Sequence, residues 1–600
     1  MMKRILFSSL LLSVIVTVSA QEEKKIILLH TNDLHSRLNG FAPESDYSPY
    51  LTGNDRTKGG FARIAAIIKK EKEENQGLTL TVDAGDFLMG TLFQSLEVKT
   101  GFQLGLMQKM GYDLVCLGNH EFDFGTVKLA EIINRAGEDG TIPPILSGNA
   151  VFSSSDPGDD GLEKLFSTGT ISRKLVIKKE GLTIGFFSLL GINAADVAPL
   201  ARPVKFSKQV SFARSMVKEL RNENCDIIIC VSHSGVAMGK DGKWTGEDVK
   251  LAETVKGIDV IISGHTHTKL DKPLVVNGVP VIQAGENGQY VGRMALTWSE
   301  GKIRMDDYTL IAVDDNIMGD AKTGKLIEGQ QDLVTKEILA PLGIRYSDPV
   351  AETGFQLECN VNGDFAGSNL GPLVADAIQY YVNKHSAEGT DVSMVAAGVI
   401  RDRFVPGILS APDIFSVMSL GSGSDDIPGY PLARLYVTGK ELKNILEILQ
   451  VAYKSSPDNY CYYSGLRVEY DPGKGLLKKI SRIEICNAEG SVSMVDLSKK
   501  NKTLYSITAN SYMLEFIGII KKMSFGLINV VPKDASGNPV EDMKSAIIDM
   551  NGAATGIQEG KEWLALLEFI GSMKDTSGNN IPDIDTRYSV PVRTFFKVKK

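Results

Sequence analysis

Cysteine is scarce. Six of them (Cys116, Cys225, Cys230, Cys359, Cys461, Cys486) in 600 residues do not make the disulfide framework of a small secreted scaffold, and no pair has the close spacing of a zinc ribbon. Cys116 and Cys230 lie inside apolar runs and read as buried packing residues. An oxidising compartment would permit a bridge, for instance Cys461 with Cys486. A surplus of basic charge is also missing: 65 Lys and Arg against 73 Asp and Glu leave a net charge of −8, which argues against a chain dedicated to gripping a nucleic-acid phosphate backbone. Beyond residue 21 no apolar run reaches the roughly 20 residues needed to cross a bilayer. Short-period repeats and low-complexity tracts are absent too. What remains is globular, with 43% hydrophobic and 23% charged residues, and long enough for two large α/β units or up to about four smaller domains. Histidine is rare as well. The seven are His30, His35, His120, His233, His265, His267 and His385, and where they fall decides the reading.

The amino terminus has a basic start (Lys3, Arg4), an apolar stretch from Ile5 to Val18, and small residues at Val18-Ser19-Ala20 before Gln21-Glu22-Glu23. This is the layout of a cleavable secretory signal over residues 1–20. As a membrane anchor the run, interrupted by serines, is short, and no cysteine follows it for lipid attachment. The expectation is a secreted or periplasmic protein with no membrane span once the signal is removed.

From Lys25 to about Thr309 a short apolar run, a polar turn and often a helical stretch follow one another. The runs are Ile26 to Leu29, Leu78 to Val82, Leu114 to Leu117, Thr183 to Leu190, Ile227 to Val231 and Val260 to Ile262. Continuous apolar strands separated by amphipathic stretches such as Phe61 to Lys70 indicate sheets covered on both faces, hence an α/β core. Lys325 to Leu339 reads as an isolated polar helix connecting two apolar-rich regions. The second region has helices near Leu370 to Tyr381 and Lys440 to Ala452, and strands near Ser393 to Ala396, Ala433 to Val437 and Leu466 to Tyr470.

Each apolar run of the first region leads into chemistry. The segments that follow are Asp33-Leu34-His35, Asp83-Ala84-Gly85-Asp86, Gly118-Asn119-His120-Glu121-Phe122-Asp123, Ser232-His233-Ser234 and Gly264-His265-Thr266-His267. Open α/β folds place their sites at such carboxyl edges of a sheet. Asp33 with His35, and His265 with His267, are two apart, which in extended chain puts both side chains on one face, able to chelate one ion. Carboxylate, imidazole and amide ligands without thiolate suit Mn, Zn, Fe or Co. The ligands suffice for two ions, which could clamp a phosphoryl group. Singly each motif is bland: Asn119 could cap a helix, Asp123 could favour a helix amino terminus, and His120 could be a core histidine. Together, five of the seven histidines at strand ends are hard to ascribe to chance.

In order and spacing these segments resemble the calcineurin-like metallophosphoesterase signature. With Gly59-Gly60-Phe61-Ala62-Arg63, Phe122-Asp123, the signal and the second region, the chain is similar to the secreted 5'-nucleotidase and UDP-sugar hydrolase family. The resemblance implies a two-sheet metallophosphoesterase sandwich flanked by helices over residues 21–315, a linker helix over 316–348, and a separate C-terminal α/β substrate domain of the 5'-nucleotidase type over 349–600. It further implies one divalent metal ion held by Asp33, His35 and His267, with Asp86 bridging to a second held by Asn119, His233 and His265, Mn, Zn, Co and Mg being the candidates. His120, oriented by Asp123, would stabilise charge on the phosphoryl oxygens or the leaving group, which agrees with the physics of an imidazolium backed by a carboxylate. In the second domain Arg401, in Ala397-Gly398-Val399-Ile400-Arg401-Asp402, would contact substrate, and Tyr512 would stack on a base.

The second domain departs from the family pattern in three places. Ser419-Leu420-Gly421 stands where the family has Pro-Phe-Gly, so Leu420 replaces a stacking aromatic; a Gly-Gly-Asp-Gly stretch after Tyr512 is replaced by Leu514 to Lys522; and Asn369-Leu370-Gly371-Pro372 has no second arginine beside it. The base pocket would then be rebuilt, with Tyr460, Tyr462 and Tyr463 as candidates. The expected function is an exported dimetal phosphoester hydrolase acting as a 5'-nucleotidase on small phosphorylated substrates. The alternatives are a UDP-sugar hydrolase, a 2',3'-cyclic-nucleotide phosphodiesterase or another phosphoesterase, and, remotely, a non-catalytic metal-bound binding protein.

Overall fold

The computed structural model describes residues 23–598 apart from 76, 139, 362, 426, 455–456, 476, 487–489 and 515–529. The signal expected over residues 1–20 and nearly all of Leu514 to Lys522 lie outside the described residues.

All six apolar runs are strands: Lys24–Thr31, Leu78–Asp83, Leu114–Cys116, Leu182–Leu190, Ile227–His233 and Val260–Ser263. They divide between two sheets rather than sharing one. In the seven-stranded sheet Lys24–Thr31 pairs antiparallel with Tyr290–Ser299 and parallel with Leu78–Asp83, and parallel pairing continues to Leu114–Cys116. In the six-stranded sheet Leu182–Leu190, Ile227–His233 and Val260–Ser263 run parallel. The runs are continuously apolar because both strand faces are buried. Ile26 and Leu28 enter the layer between the sheets with Leu80, Val82, Phe186, Ile229 and Ile262. Ile27 and Leu29 face the opposite layer, a core they share with Phe61, Ile64 and Ile68 of the Phe61–Glu74 helix. The reading from Phe61 to Lys70 stops one turn short of that helix's end.

The expected isolated connector is packed. Ala321–Val334 is an α-helix whose amino end is capped by Asp320, the carboxylate accepting from the Thr323 N–H at 2.8 Å. Ile327, Val334 and the following Leu339 are buried in the core that contains Ile64 and Leu104. Its polar side chains dominate the sequence pattern, but a narrow apolar stripe finds a partner.

The second region holds two four-stranded sheets. One runs in the order Leu432–Thr438, Leu504–Asn510, Val392–Ala396, Cys461–Ser464, with the Leu370–His385 helix against it. The other runs Val492–Met494, Ile480–Cys486, Leu466–Tyr470, Phe595–Lys597. All six cysteines are unpaired thiols, Cys461 and Cys486 included. The two halves touch through polar groups close to the strand ends. The Tyr346 hydroxyl donates to Glu44 Oε1 at 2.5 Å, the Glu44 N–H donates to Asp413 Oδ1 at 2.8 Å, and Gln94 Nε2 donates to the Ser419 carbonyl at 2.7 Å. Arg37 pairs with Asp402. Among the described residues no helix is long and apolar enough to cross a membrane.

Candidate active site

The segments following the strands leave extended geometry at once. Asp33 (φ 52°), His35 (50°), Asp86 (57°), His265 (73°) and His267 (54°) all adopt left-handed backbone conformations, each of which costs a non-glycine residue on the order of 1–3 kcal/mol. The argument from extended chain therefore fails for both pairs. Asp33 and His35 do converge, but His265 and His267 diverge to different clusters.

Two groups of potential ligands result, Asp33 with His35 and His267, and Asp86 with His233 and His265, the ligand atoms of each lying within 4.8 Å of one another. In the first, His267 Nε2 is 3.1 Å from His35 Nε2 and 3.5 Å from Asp33 Oδ1. In the second, His233 Nε2 is 2.9 Å from Asp86 Oδ2. The groups are adjacent, since His233 Nε2 is also 4.0 Å from Asp33 Oδ1. Asn119 is buried, and its Oδ1 has no hydrogen-bond partner. An orphaned buried amide oxygen in the residue before His120, whose N–H bonds Asp86, in a ligand set without thiolate, fits a borderline divalent cation.

The imidazoles are pinned at the ring nitrogen turned away from the clusters. His35 Nδ1 lies 3.0 Å from the Met89 carbonyl, His233 Nδ1 lies 2.8 Å from that of Ala84, and His265 Nε2 lies 2.9 Å from Asn193 Oδ1. Such partners fix tautomer and ring orientation. Glu121 is a buried clasp, accepting the N–H groups of Gly118 (2.6 Å), Leu88 (2.9 Å) and Asp86 (3.1 Å).

The electrostatics suit a cation site. Burial alone would raise the Asp86 carboxyl, but His233, His120 and His35 hold it well below the ordinary range. Burial lowers His233, yet Asp86 and Asp33 raise it to about 10. Burial, then neighbouring imidazoles, push His35 well down and His265 to about 3, so those two rings stay neutral with a lone pair to offer.

His120 stands beside the clusters. Its N–H donates to Asp86 Oδ1 at 2.8 Å, and its Nδ1 is 2.6 Å from Asp123 Oδ2. From the other half of the molecule Arg401 Nη2 comes within 3.3 Å of His120 Nε2. His35, Arg37, His120, His267, Arg401 and Leu420 line one pocket.

Tyr512 is not opposite Leu420 in an open slot. Its ring stacks on Tyr430, centroids 5.3 Å apart and planes 13° from parallel, and the Tyr430 N–H donates to the Leu420 carbonyl at 3.0 Å. Of the tyrosines considered for a rebuilt pocket, Tyr462 and Tyr463 are buried in the core, the Tyr462 hydroxyl donating to the carbonyls of Cys359 and Phe365, and the Tyr460 ring packs beside Tyr462. Asn369 bonds the backbone at Gln356 and Glu358. Sequence reasoning assigned no role to Arg37, Glu121, Asn193, Glu286 or Tyr430; of these only Glu121 sits inside a motif that could have drawn attention to it.

Residues 26–269 match the calcineurin-like phosphoesterase family, and residues 350–518 match the 5'-nucleotidase C-terminal domain. The chain is 26% identical over 521 residues to a 5'-nucleotidase of Mus musculus, covering 82% of each protein. It is 25% identical over 528 residues to Endonuclease YhcR of Bacillus subtilis, a span of 85% of this chain but 39% of that protein. The fold aligns with a 5'-nucleotidase precursor from Thermus thermophilus at a TM-score of 0.66 and 21% identity, covering 96% of this chain and 100% of that one.

Proposed function

This chain belongs to the calcineurin-like phosphoesterases that carry a 5'-nucleotidase C-terminal domain and is a metal-dependent phosphoester hydrolase; from that premise we propose that it is an exported 5'-nucleotidase with a two-metal site. The observation that carries the reading is the convergence of His120, backed by Asp123, and Arg401 beside two adjoining oxygen-and-nitrogen ligand clusters. Asp33, His35 and His267 would hold one ion, and Asn119, His233 and His265 the other, with Asp86 between them. Two such ions would supply positive charge to the phosphoryl oxygens and lower the pKa of a bound water.

The side chains complete the chemistry. Asp123 holds the Nδ1 edge of His120, which turns Nε2 toward Arg401 and the pocket. From there His120 donates to a phosphoryl oxygen and passes a proton to the leaving alkoxide. Arg401 neutralises the remaining anionic oxygens, and Tyr512 offers a ring face to the base.

The test measures phosphate release from 5'-mononucleotides and sugar phosphates, glucose 1-phosphate from UDP-glucose, and nucleoside monophosphate from 2',3'-cyclic nucleotides. The protein is first stripped with chelator, then reloaded with Mn, Co, Zn or Mg. Turnover of mononucleotides that is lost on chelation and in His120→Ala is expected. Full turnover by the stripped protein or by His120→Ala would overturn the reading. One observation favours a different leaving group: a base held between two rings needs them about 7 Å apart, twice an ordinary contact of about 3.5 Å, whereas Tyr430 and Tyr512 are 5.3 Å apart and Leu420 offers no ring. Activity confined to the sugar phosphates, which carry no base, would select that alternative.

A further inference from the structure

Three of the four imidazoles in the two clusters are pinned by a backbone carbonyl or a neutral amide. His267 is the exception. Its Nδ1 is paired with the carboxylate of Glu286, while its Nε2 points into the first cluster, 3.1 Å from His35 Nε2. Glu286 is 35% exposed, lines the same pocket as Arg401 and His120, and comes from a loop 19 residues downstream of His267.

That loop is fastened to the site. The Asn32 side chain accepts from the Ala284 N–H at 2.8 Å and donates to the Gly285 carbonyl at 2.6 Å, and the Asn287 N–H donates to the Asp33 carbonyl at 2.6 Å. Asn32 Nδ2 also reaches Asp33 Oδ2 at 2.6 Å. One residue thus couples the ligand Asp33 to the segment that presents Glu286. A surface carboxylate meeting a histidine by chance would not need such an anchorage.

We propose that Glu286 is a positioning residue that fixes the His267 ring for metal coordination through Nε2 and raises its donor strength. The inference rests on the reading that Asp33, His35 and His267 hold an ion. A carboxylate on Nδ1 selects the tautomer with its lone pair on Nε2, holds the ring plane toward the cluster, and makes the imidazole more electron-rich. Losing a partner of this kind typically weakens metal binding about 10–100-fold. Glutamine at 286 keeps an oxygen to accept from Nδ1 but not the charge, so it separates orientation from donor strength.

The experiment titrates Mn²⁺ into the metal-free full chain by calorimetry, with unfolding midpoints measured on the same samples. Wild type is expected to bind two ions. In Glu286→Ala one step weakens about 10–100-fold and in Glu286→Gln by less, while the other step and the metal-free midpoint keep their wild-type values. Two unchanged steps in Glu286→Ala would overturn the proposal, and so would a lowered metal-free midpoint with both steps weakened alike in Ala and Gln. His267→Ala separates the premise from the proposal: it should abolish one step, and if it leaves both intact, or if wild type takes up fewer than two ions, the two-metal reading itself fails.

Discussion

Gly118→Ala isolates the placement of Asp86, the carboxylate proposed to lie between two ions. Gly118 is outside the left-handed region, so alanine introduces no backbone strain, only a methyl group. That Cβ would lie 2.2 Å from Asp86 Oδ1 and 2.6 Å from the Asp86 nitrogen, where an ordinary contact begins at 3.4 Å. Restoring normal contact moves Asp86 by about 1.2 Å, or pushes Gly118 away from Glu121, whose carboxylate accepts its N–H at 2.6 Å. Overpacking of this kind costs about 1–3 kcal/mol, which for a domain of this size is a fall of roughly 2–5 °C in Tm. Displacing a group in the reacting site by about 1 Å costs on the order of 100-fold in kcat. The assay compares kcat at saturating Mn²⁺, metal affinity and Tm with those of Gly137→Ala, a helical glycine whose Cβ would meet nothing within 4 Å. Gly137→Ala should keep full activity. Wild-type kcat and metal affinity in Gly118→Ala would refute the reasoning, because the contact would then place nothing that the chemistry uses.

Burial pushes the Glu97 carboxyl up to about 8. The folded protein therefore keeps, between about pH 4.5 and 8, a proton that the unfolded chain has released, and stability falls as pH rises through that window by on the order of 1.4 kcal/mol per unit. Glu97→Gln imitates the protonated form, so its Tm should gain on the wild type from about pH 5 to 8; parallel curves would contradict this. Arg401→Ala removes a charged donor worth about 1.5–3 kcal/mol, so KM should rise roughly 10–100-fold with metal affinity unchanged, and an unaltered KM would show that Arg401 does not touch substrate.

The strands were legible because burial on both faces leaves no polar residues to interrupt the pattern, and this holds for Ile26 to Leu29 as for Ile227 to Val231. The two candidate clusters were legible because chemistry gathers where those runs end. The local geometry was not. Extended chain predicts His265 and His267 on one face, but the sequence carries no sign that both adopt positive φ, since histidine there is uncommon. The allotment of the two histidines to different ions came from the resemblance alone; the structure places them in different clusters. Asn193 and Glu286 reach their histidines from 72 and 19 residues away, and Tyr430 reaches Tyr512 across 82. No local pattern marks such partners.

The two functional layers of the molecule are built differently, and this bears on which of them can change. Every proposed ligand histidine is tied at its outer nitrogen, and Asp86 is gripped through Glu121 and Gly118. A substitution there disturbs several groups together. The side chains proposed to face the leaving group, Leu420, Tyr430 and Tyr512, sit on separate segments that meet by packing and one backbone hydrogen bond. Among the contacts that join the layers are the pairing of Arg37, two residues beyond His35, with Asp402, the neighbour of Arg401, and the bond from Gln94 to the Ser419 carbonyl. Neither contact uses the side chain of Leu420, Tyr430 or Tyr512. Replacing Leu420 by an aromatic residue, or parting the two tyrosines, can therefore redirect substrate choice while the hydrolytic groups stay in place. The net charge of −8 bears little on an anionic substrate, because screening confines its influence to about 8–10 Å, and within that reach stand Arg401, Arg37, His120 and whichever cations the clusters bind.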